Sequence, residues 1–189
     1  FNVTAAVVAV TGLGFPFTEV ANVASHLLPV DGRMQEVKGG SDIRVVVDYA
    51  HTPDALSSAL SALKQSCTGA LWVVFGCGGD RDAGKRPEMG RIADSLADQL
   101  VVTNDNPRSE SPEMIAEDIL VGITGSACHV ELDRGAAIRH AVLNARSGDT
   151  VLVAGKGHEN YQLVGKNKLD FSDVSSAAEA LREREAAHA

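Results

Sequence analysis

The sequence predicts an α/β fold, a doubly wound and mostly parallel sheet with a short helical tail ahead of it, and three observations carry that reading. From Ile43 onward, short β-branched runs alternate with amphipathic stretches at the spacing of βα units. The amphipathic stretches open on legible helix-start residues. Upstream of Pro29 the pattern differs, with Ala, Val and Leu recurring at helical spacing and no strand between them.

Taken in order, residues 2 to 11 and 19 to 28 predict two short helices, separated by the breakers Gly12, Gly14 and Pro16. Pro29 to Asp42 is rich in Gly and charge with no sustained period, which marks a linker. Strands are expected at 43–48 (IRVVVD), 70–75 (ALWVVF), 99–103 (QLVVT), 128–132 (CHVEL) and 150–154 (TVLVA). The helices between them start at Thr52-Pro53, Arg86-Pro87, Ser111-Pro112 and Asp133. In the first of these helices Leu56, Ala59, Leu60 and Leu63 share one face. YQLVGKNKLDF predicts a hairpin turning near Gly165 to Asn167, and residues 175 to 187 a closing helix.

At 189 residues the chain can bury one core of ordinary domain size, with a short piece of a neighbour attached. Seventeen Lys and Arg stand against 25 Asp and Glu, a net charge of -8, with no basic cluster and only 4% aromatic residues. That balance speaks against a general nucleic-acid binder, which needs a basic face for phosphates. No apolar run approaches the roughly 20 residues of a membrane-spanning helix, and the opening FNVTAAVV has no basic flank with a cleavage site. Cys67, Cys77 and Cys128 are odd in number and lack CxxC spacing, so reduced thiols and a cytoplasmic location are expected. The chain opens on Phe1 inside a helical pattern, from which an upstream segment is expected.

Open α/β sheets bind ligands beyond the carboxyl ends of their strands, so function is sought in the loops there. They are DYAHTPD, GCGGDRDAGKR, NDNPRSE and GKGHE. Gly79 to Lys85 satisfies GxxxxGK, but Arg86 replaces the Ser or Thr of a phosphate-binding loop, and Asp80 and Asp82 stand where phosphates would sit. The dinucleotide fingerprint fails as well, with Arg81 at its third glycine. In NDNPRSE, Asn106 before Pro107 is biased toward an extended or turn conformation, Arg108 offers a fork for a carboxylate, and Asp105 offers an acceptor for an ammonium. That suits an amino acid; an internal Asp105–Arg108 bridge stiffening the turn is the alternative. In GKGHE, Gly155 and Gly157 allow close backbone approach, and Glu159 could take a second ammonium, with Arg81 as a second carboxylate binder. A doubly zwitterionic ligand would use all of these groups, whereas Lys156 and His158 also read as solvated loop residues. Asp48 and His51 suit ribose and phosphate or base, or else cap the following helix. No metal-binding or nucleophile motif is present, and no metal ligands are expected in this stretch.

Together these segments resemble the Mur ligases in their diaminopimelate-adding branch. The residues that carry the likeness are FNV at 1–3, GRM at 32–34, DYAHTPDAL at 48–56, FGCGGDRDAGKRPEMG at 75–90, DNPRSESP at 105–112 and VLVAGKGHENYQ at 151–162. The resemblance implies a three-domain enzyme that joins meso-diaminopimelate to a UDP-muramoyl dipeptide through an acyl phosphate, with ATP and Mg²⁺ bound mainly by a central domain. It implies that residues 1–36 are the tail of that central domain and 37–189 a Rossmann-like C-terminal domain. It assigns Asn2, Arg33, Asp48 and His51 to ATP, with Arg33 catalytic near the γ-phosphate. It assigns Arg81, Asp105, Asn106, Pro107, Arg108, Gly155 and Glu159 to diaminopimelate. Two positions depart from the pattern: Ala5 stands where the family usually has Asn, and Gln35 where it has an acidic residue. Lysine-adding relatives lack DNPR, and a non-catalytic amino-acid- or nucleotide-binding module of the same fold is the remaining alternative.

Overall fold

The computed structural model describes residues 2–27, 30–39, 42–125 and 127–188, with the side chains of residues 2 and 188 set aside. It divides into two compact units, Phe1–Val30 and Asp31–Ala189. The first holds α1 (Asn2–Gly12) and α2 (Phe17–Ser25). Val8, Leu13, Phe15, Phe17 and Val23 are all exposed there. A helix as apolar all round as α1 belongs to the interior of a larger body.

The second unit contains, in chain order, β1 (Gln35–Glu36), β2 (Arg44–Asp48), α3 (Pro53–Lys64), β3 (Leu71–Phe75), α4 (Lys85–Leu96), β4 (Gln99–Val102), α5 (Pro112–Leu120), β5 (Cys128–Val130), α6 (Arg134–Asn144), β6 (Thr150–Ala154), the hairpin β7 (Tyr161–Val164) and β8 (Asn167–Asp170), and α7 (Asp173–His188). Its sheet runs β1-β2-β6-β3-β4-β5, parallel throughout except for β1. The expected boundary at residue 36 lies inside this unit. Gln35 and Glu36 pair with Val47 and Val46, in the segment expected to be linker, and two residues are too short to show a period.

Both faces of the sheet are covered, which is why its strands are nearly continuous apolar runs. Val46, Leu152, Val73 and Leu100 pack with α3, α4 and α5. Their neighbours Val47, Val153, Val74 and Val101 pack with α6 and α7. The helix starts follow local chemistry: Thr52, Ser111 and Asp133 cap α3, α5 and α6 by accepting from Ala55, Met114 and Ala136 backbone N–H groups. At the amino end of the strands, buried Asp149 accepts from Ala70 N at 2.7 Å, Arg146 N at 2.8 Å and Trp72 Nε1 at 3.0 Å. The carboxyl end is where β2, β3, β4 and β6 release their loops side by side.

Candidate functional site

Those four loops enclose a cleft of about 680 Å³. Residues following β2 (Tyr49, His51), β3 (Arg81, Lys85), β4 (Asp105, Asn106, Arg108) and β6 (Gly155, Glu159) line it, and Tyr161 closes one side. The loop after β3 is held from beneath. Arg86, the residue that spoils the phosphate-loop pattern, is buried and donates to Glu110 at 2.8 Å and Asp118 at 2.9 Å. Burial alone would lower its pKa, but those two carboxylates outweigh it and raise it. Glu110 also accepts from the Asp80 backbone N–H, and Asp80 accepts from the Ser109 hydroxyl at 2.6 Å. The acidic residues of this loop therefore serve its architecture.

Arg108 and Asp105 do not bridge to each other. The backbone of Arg108, at φ 53°, is stitched into the hairpin, its N–H donating to Leu163 O at 3.0 Å and its carbonyl accepting from Gly165 N at 2.7 Å. Its Nη1 donates to Gly79 O at 2.7 Å and to Asn106 O at 3.3 Å, which leaves Nε and Nη2 without a protein acceptor among the described residues. Asp105 is only 8% exposed, yet its carboxylate receives no hydrogen bond from the described residues. With no donor from the described residues, this carboxylate is left to meet donors from the cleft that Asp105 lines. Gly155, at φ 123°, makes room for it: a Cβ there would lie 2.6 Å from Asp105 Oδ2.

Asn106 is committed inside the protein. Its Oδ1 accepts from Lys156 Nζ at 3.0 Å and Leu163 N at 2.9 Å, and its Nδ2 donates to Glu159 Oε2 at 3.1 Å. Pro107 is buried and does not line the cleft. Lys156, read from sequence as ligand-facing or solvated, is fully buried, whereas His158 is exposed.

Asp48 ends β2 largely buried, and its Oδ2 accepts from Met34 N at 2.7 Å. It does not cap α3, which Thr52 does. His51 Nδ1 lies 2.8 Å from Tyr49 O; a carbonyl only accepts, so Nδ1 is the donor, and Nε2 has no hydrogen-bond partner among the described residues. Arg33 stacks on the Tyr49 ring, 4.7 Å from its centroid. Its loop is pinned by a close approach: at Gly32, with φ 67°, a Cβ would stand 2.0 Å from His158 N. Gln35, the departure from an acidic residue, accepts from Gly32 N at 2.7 Å, as a carboxylate oxygen would. Tyr49 went unremarked in the sequence. Burial, and then the charges of Glu159 and Asp105, raise its pKa. Asn2 lies on α1 in the other unit, and its side chain is outside the described residues. The structure thus brings Arg81, Asp105, Asn106, Arg108, Gly155, Glu159 and His51 to one cleft, with Asp48 and Arg33 beside it.

Beneath the cleft, Arg134 and Asp173 form a fully buried pair, with Nε to Oδ1 at 2.7 Å and Nη2 to Oδ2 at 2.8 Å. Arg134 also donates to Asn104 O and Ala154 O, tying the ends of β4 and β6 together. Among the described residues no group of three His, Cys, Asp or Glu could hold a metal ion, and no helix is long and apolar enough to cross a membrane.

Comparison with known proteins bears on this arrangement. Residues 32–157 match the family model described as Mur ligase, glutamate ligase domain. The chain is 50% identical over 181 residues to UDP-N-acetylmuramoyl-L-alanyl-D-glutamate--2,6-diaminopimelate ligase of Vibrio vulnificus (strain YJ016), covering 95% of this chain and 37% of that protein. It is 52% identical over 185 residues to the ligase of the same name from Gloeobacter violaceus (strain ATCC 29082 / PCC 7421), covering 97% of this chain and 38% of that one. A solved structure of a ligase of that name superposes with a TM-score of 0.78 at 42% identity, over 98% of this chain and 38% of the other. The UDP-N-acetylmuramate-alanine ligase of Thermotoga maritima shares the fold at 19% identity, with a TM-score of 0.67 over 100% of this chain and 37% of that chain.

Proposed function

Since this chain belongs to the Mur ligase family, we propose that it is the C-terminal part of an ATP-dependent ligase that adds meso-diaminopimelate to UDP-N-acetylmuramoyl-L-alanyl-D-glutamate in peptidoglycan precursor synthesis. It spans little more than a third of the relatives named for that reaction. The unit Phe1–Val30 is then the end of a central ATP-binding domain and the unit Asp31–Ala189 holds the amino-acid-binding domain, in a cytoplasmic enzyme whose N-terminal and central parts are its partners. The observation that carries the proposal is Asp105, a residue only 8% exposed whose carboxylate reaches the cleft with no donor from the described residues, beside an Arg108 with one edge of its guanidinium open. An amino-acid end presents an ammonium and a carboxylate, and these two groups complement it. Glu159 and Arg81, on the same cleft, complement a second end.

In this reading the γ-carboxylate of the dipeptide is activated as an acyl phosphate, the amine of diaminopimelate attacks its carbonyl carbon, and the C–O bond to phosphate breaks. ATP, with Mg²⁺, supplies the phosphoryl group and is held mainly by the central domain. Asp48, Arg33 and His51 fit its near edge. Asp48 has one oxygen on Met34 N, His51 offers Nε2, and Arg33 makes no ion pair among the described residues. Asn2 is assigned to the nucleotide on resemblance alone, as is Pro107 to diaminopimelate. Asn106 reaches the amino acid by shaping the site around Glu159. The chain carries no GKT or GKS loop, so on its own it is expected not to turn over.

Calorimetric titration of the full-length ligase with meso-diaminopimelate and with L-lysine, repeated on Arg108→Ala, tests the reading. Selective diaminopimelate binding that is lost in the variant is expected, since lysine has no second carboxylate for Arg108. A preference for lysine would overturn it.

A further inference from the structure

A lysine without exposed surface is rare unless its ammonium is paired, because burying that charge is costly. Lys156 is such a residue, with a side chain at 0% exposure. Its Nζ donates to Asn106 Oδ1 at 3.0 Å and to Glu159 Oε2 at 3.3 Å. An ammonium has donors and no acceptor, so the amide of Asn106 must turn its oxygen toward Lys156 and Leu163 N, and its NH₂ toward Glu159. Glu159 Oε2 thereby receives two donors from inside the protein. Its other oxygen, Oε1, meets among the described residues only the Tyr49 hydroxyl, at the long distance of 3.5 Å, and Glu159 lines the cleft.

We propose that Lys156 is a positioning residue for amino-acid selection: by fixing the amide of Asn106 and saturating Oε2 of Glu159, it leaves one oriented carboxylate oxygen to receive an ammonium of the incoming diamino acid. The inference rests on the functional reading above and extends it to a residue that touches no ligand. The buried ammonium also supplies a compensating charge beside the Glu159 carboxylate. An apolar residue in its place would fill the space and supply neither effect.

The test is a double-mutant cycle in the full-length ligase, with Lys156→Met, Glu159→Gln and the double variant, reading KM for meso-diaminopimelate and for ATP separately. Lys156→Met is expected to raise the diaminopimelate KM by about tenfold or more, as removal of a donor from a buried charged acceptor does, with the ATP KM within about twofold of wild type. In the Glu159→Gln background the same substitution is expected to add less than about threefold, since the two residues act as a unit. Equal penalties in both backgrounds, or a parallel rise in the ATP KM, would mark Lys156 as a general structural residue and overturn the inference. So would an unchanged diaminopimelate KM. A wild-type ligase that turns over no diaminopimelate would instead overturn the functional reading, and this inference with it. If Lys156→Met alone does not fold, the comparison is made between Glu159→Gln and the double variant, where a further loss of tenfold would count against the proposal.

Discussion

Replacing Gly155 by alanine tests the place of the Asp105 carboxylate, which receives no hydrogen bond from the described residues. Gly155 follows β6 with φ 123°, a backbone conformation that L residues rarely adopt, and alanine there costs roughly 1–3 kcal/mol. The new Cβ would also stand 2.6 Å from Asp105 Oδ2, well inside the 3.4 Å at which ordinary contact begins. The Asp105 carboxylate, to which no described residue donates, would relieve this by rotating away from residue 155 while its backbone carbonyl stays on Gln162 Nε2 at 2.8 Å, and so would leave its place on the cleft. A displacement approaching ~1 Å at a positioning group can cost about a hundredfold in rate. In the full-length ligase the diaminopimelate KM is therefore expected to rise by roughly tenfold to a hundredfold. The denaturation midpoint should fall by the equivalent of about 1–3 kcal/mol. Steady-state kinetics and a urea titration measure the two effects. An unchanged KM in a variant that shows the stability loss would refute the placement of Asp105 against the amino acid.

The buried pair beneath the site predicts a second outcome. Asp173→Ala leaves the Arg134 guanidinium uncompensated at 0% side-chain exposure and is expected to cost about 3–5 kcal/mol in equilibrium unfolding. Arg134→Met combined with Asp173→Leu should recover most of that loss, and a double variant worse than the single one would show that Arg134's bonds to Asn104 O and Ala154 O matter more than the charge. A third prediction concerns pH. His140 stacks on His129 at 3.9 Å, and burial, then the His129 ring, lower its pKa below 6.5. The unfolded state therefore binds the proton more readily, so this contribution to stability is complete above the unfolded pKa and is lost as pH falls through the folded one. Denaturation midpoints between pH 7.5 and 5.5 should fall less in His140→Gln than in the wild type, and equal slopes would exclude this source.

Local chemistry was legible where the cause is local. Thr52, Ser111 and Asp133 read as helix caps because the donor each accepts from lies three residues on. The convergence of four loops was legible because a parallel sheet delivers its strand ends to one side. What escaped depends on partners far apart in the chain. Nothing within GKGHE says that its lysine is buried, since its partner Asn106 is 50 residues away. Nothing in the segment from Pro29 to Asp42 marks β1, because two residues show no alternation. The resemblance assigns Asn106 to diaminopimelate, and nothing in NDNPRSE shows that its amide also meets Lys156, Leu163 and Glu159, all 50 or more residues away. Arg134 and Asp173, 39 residues apart, carried no mark of their pairing at all.

Tyr49 shows how little separates the two halves of the proposed reaction. One face of its ring carries the Arg33 guanidinium at 4.7 Å, its edge meets His51 at 4.6 Å, and its hydroxyl lies 3.5 Å from Glu159 Oε1. Arg33 and His51 are the groups proposed for the nucleotide, and Glu159 is proposed for the amino acid. A single aromatic residue therefore stands between them, and the close approach of Gly32 to His158 N fixes the Arg33 loop to the loop that carries Glu159. Acyl transfer through a phosphate requires the phosphate-bearing and amine-bearing ends to share one volume from which water is excluded. By joining the two loops through a ring and a backbone contact, the domain can carry both sets of groups as one body, so that in the proposed reaction Arg33 and the amino acid would reach the acyl phosphate together.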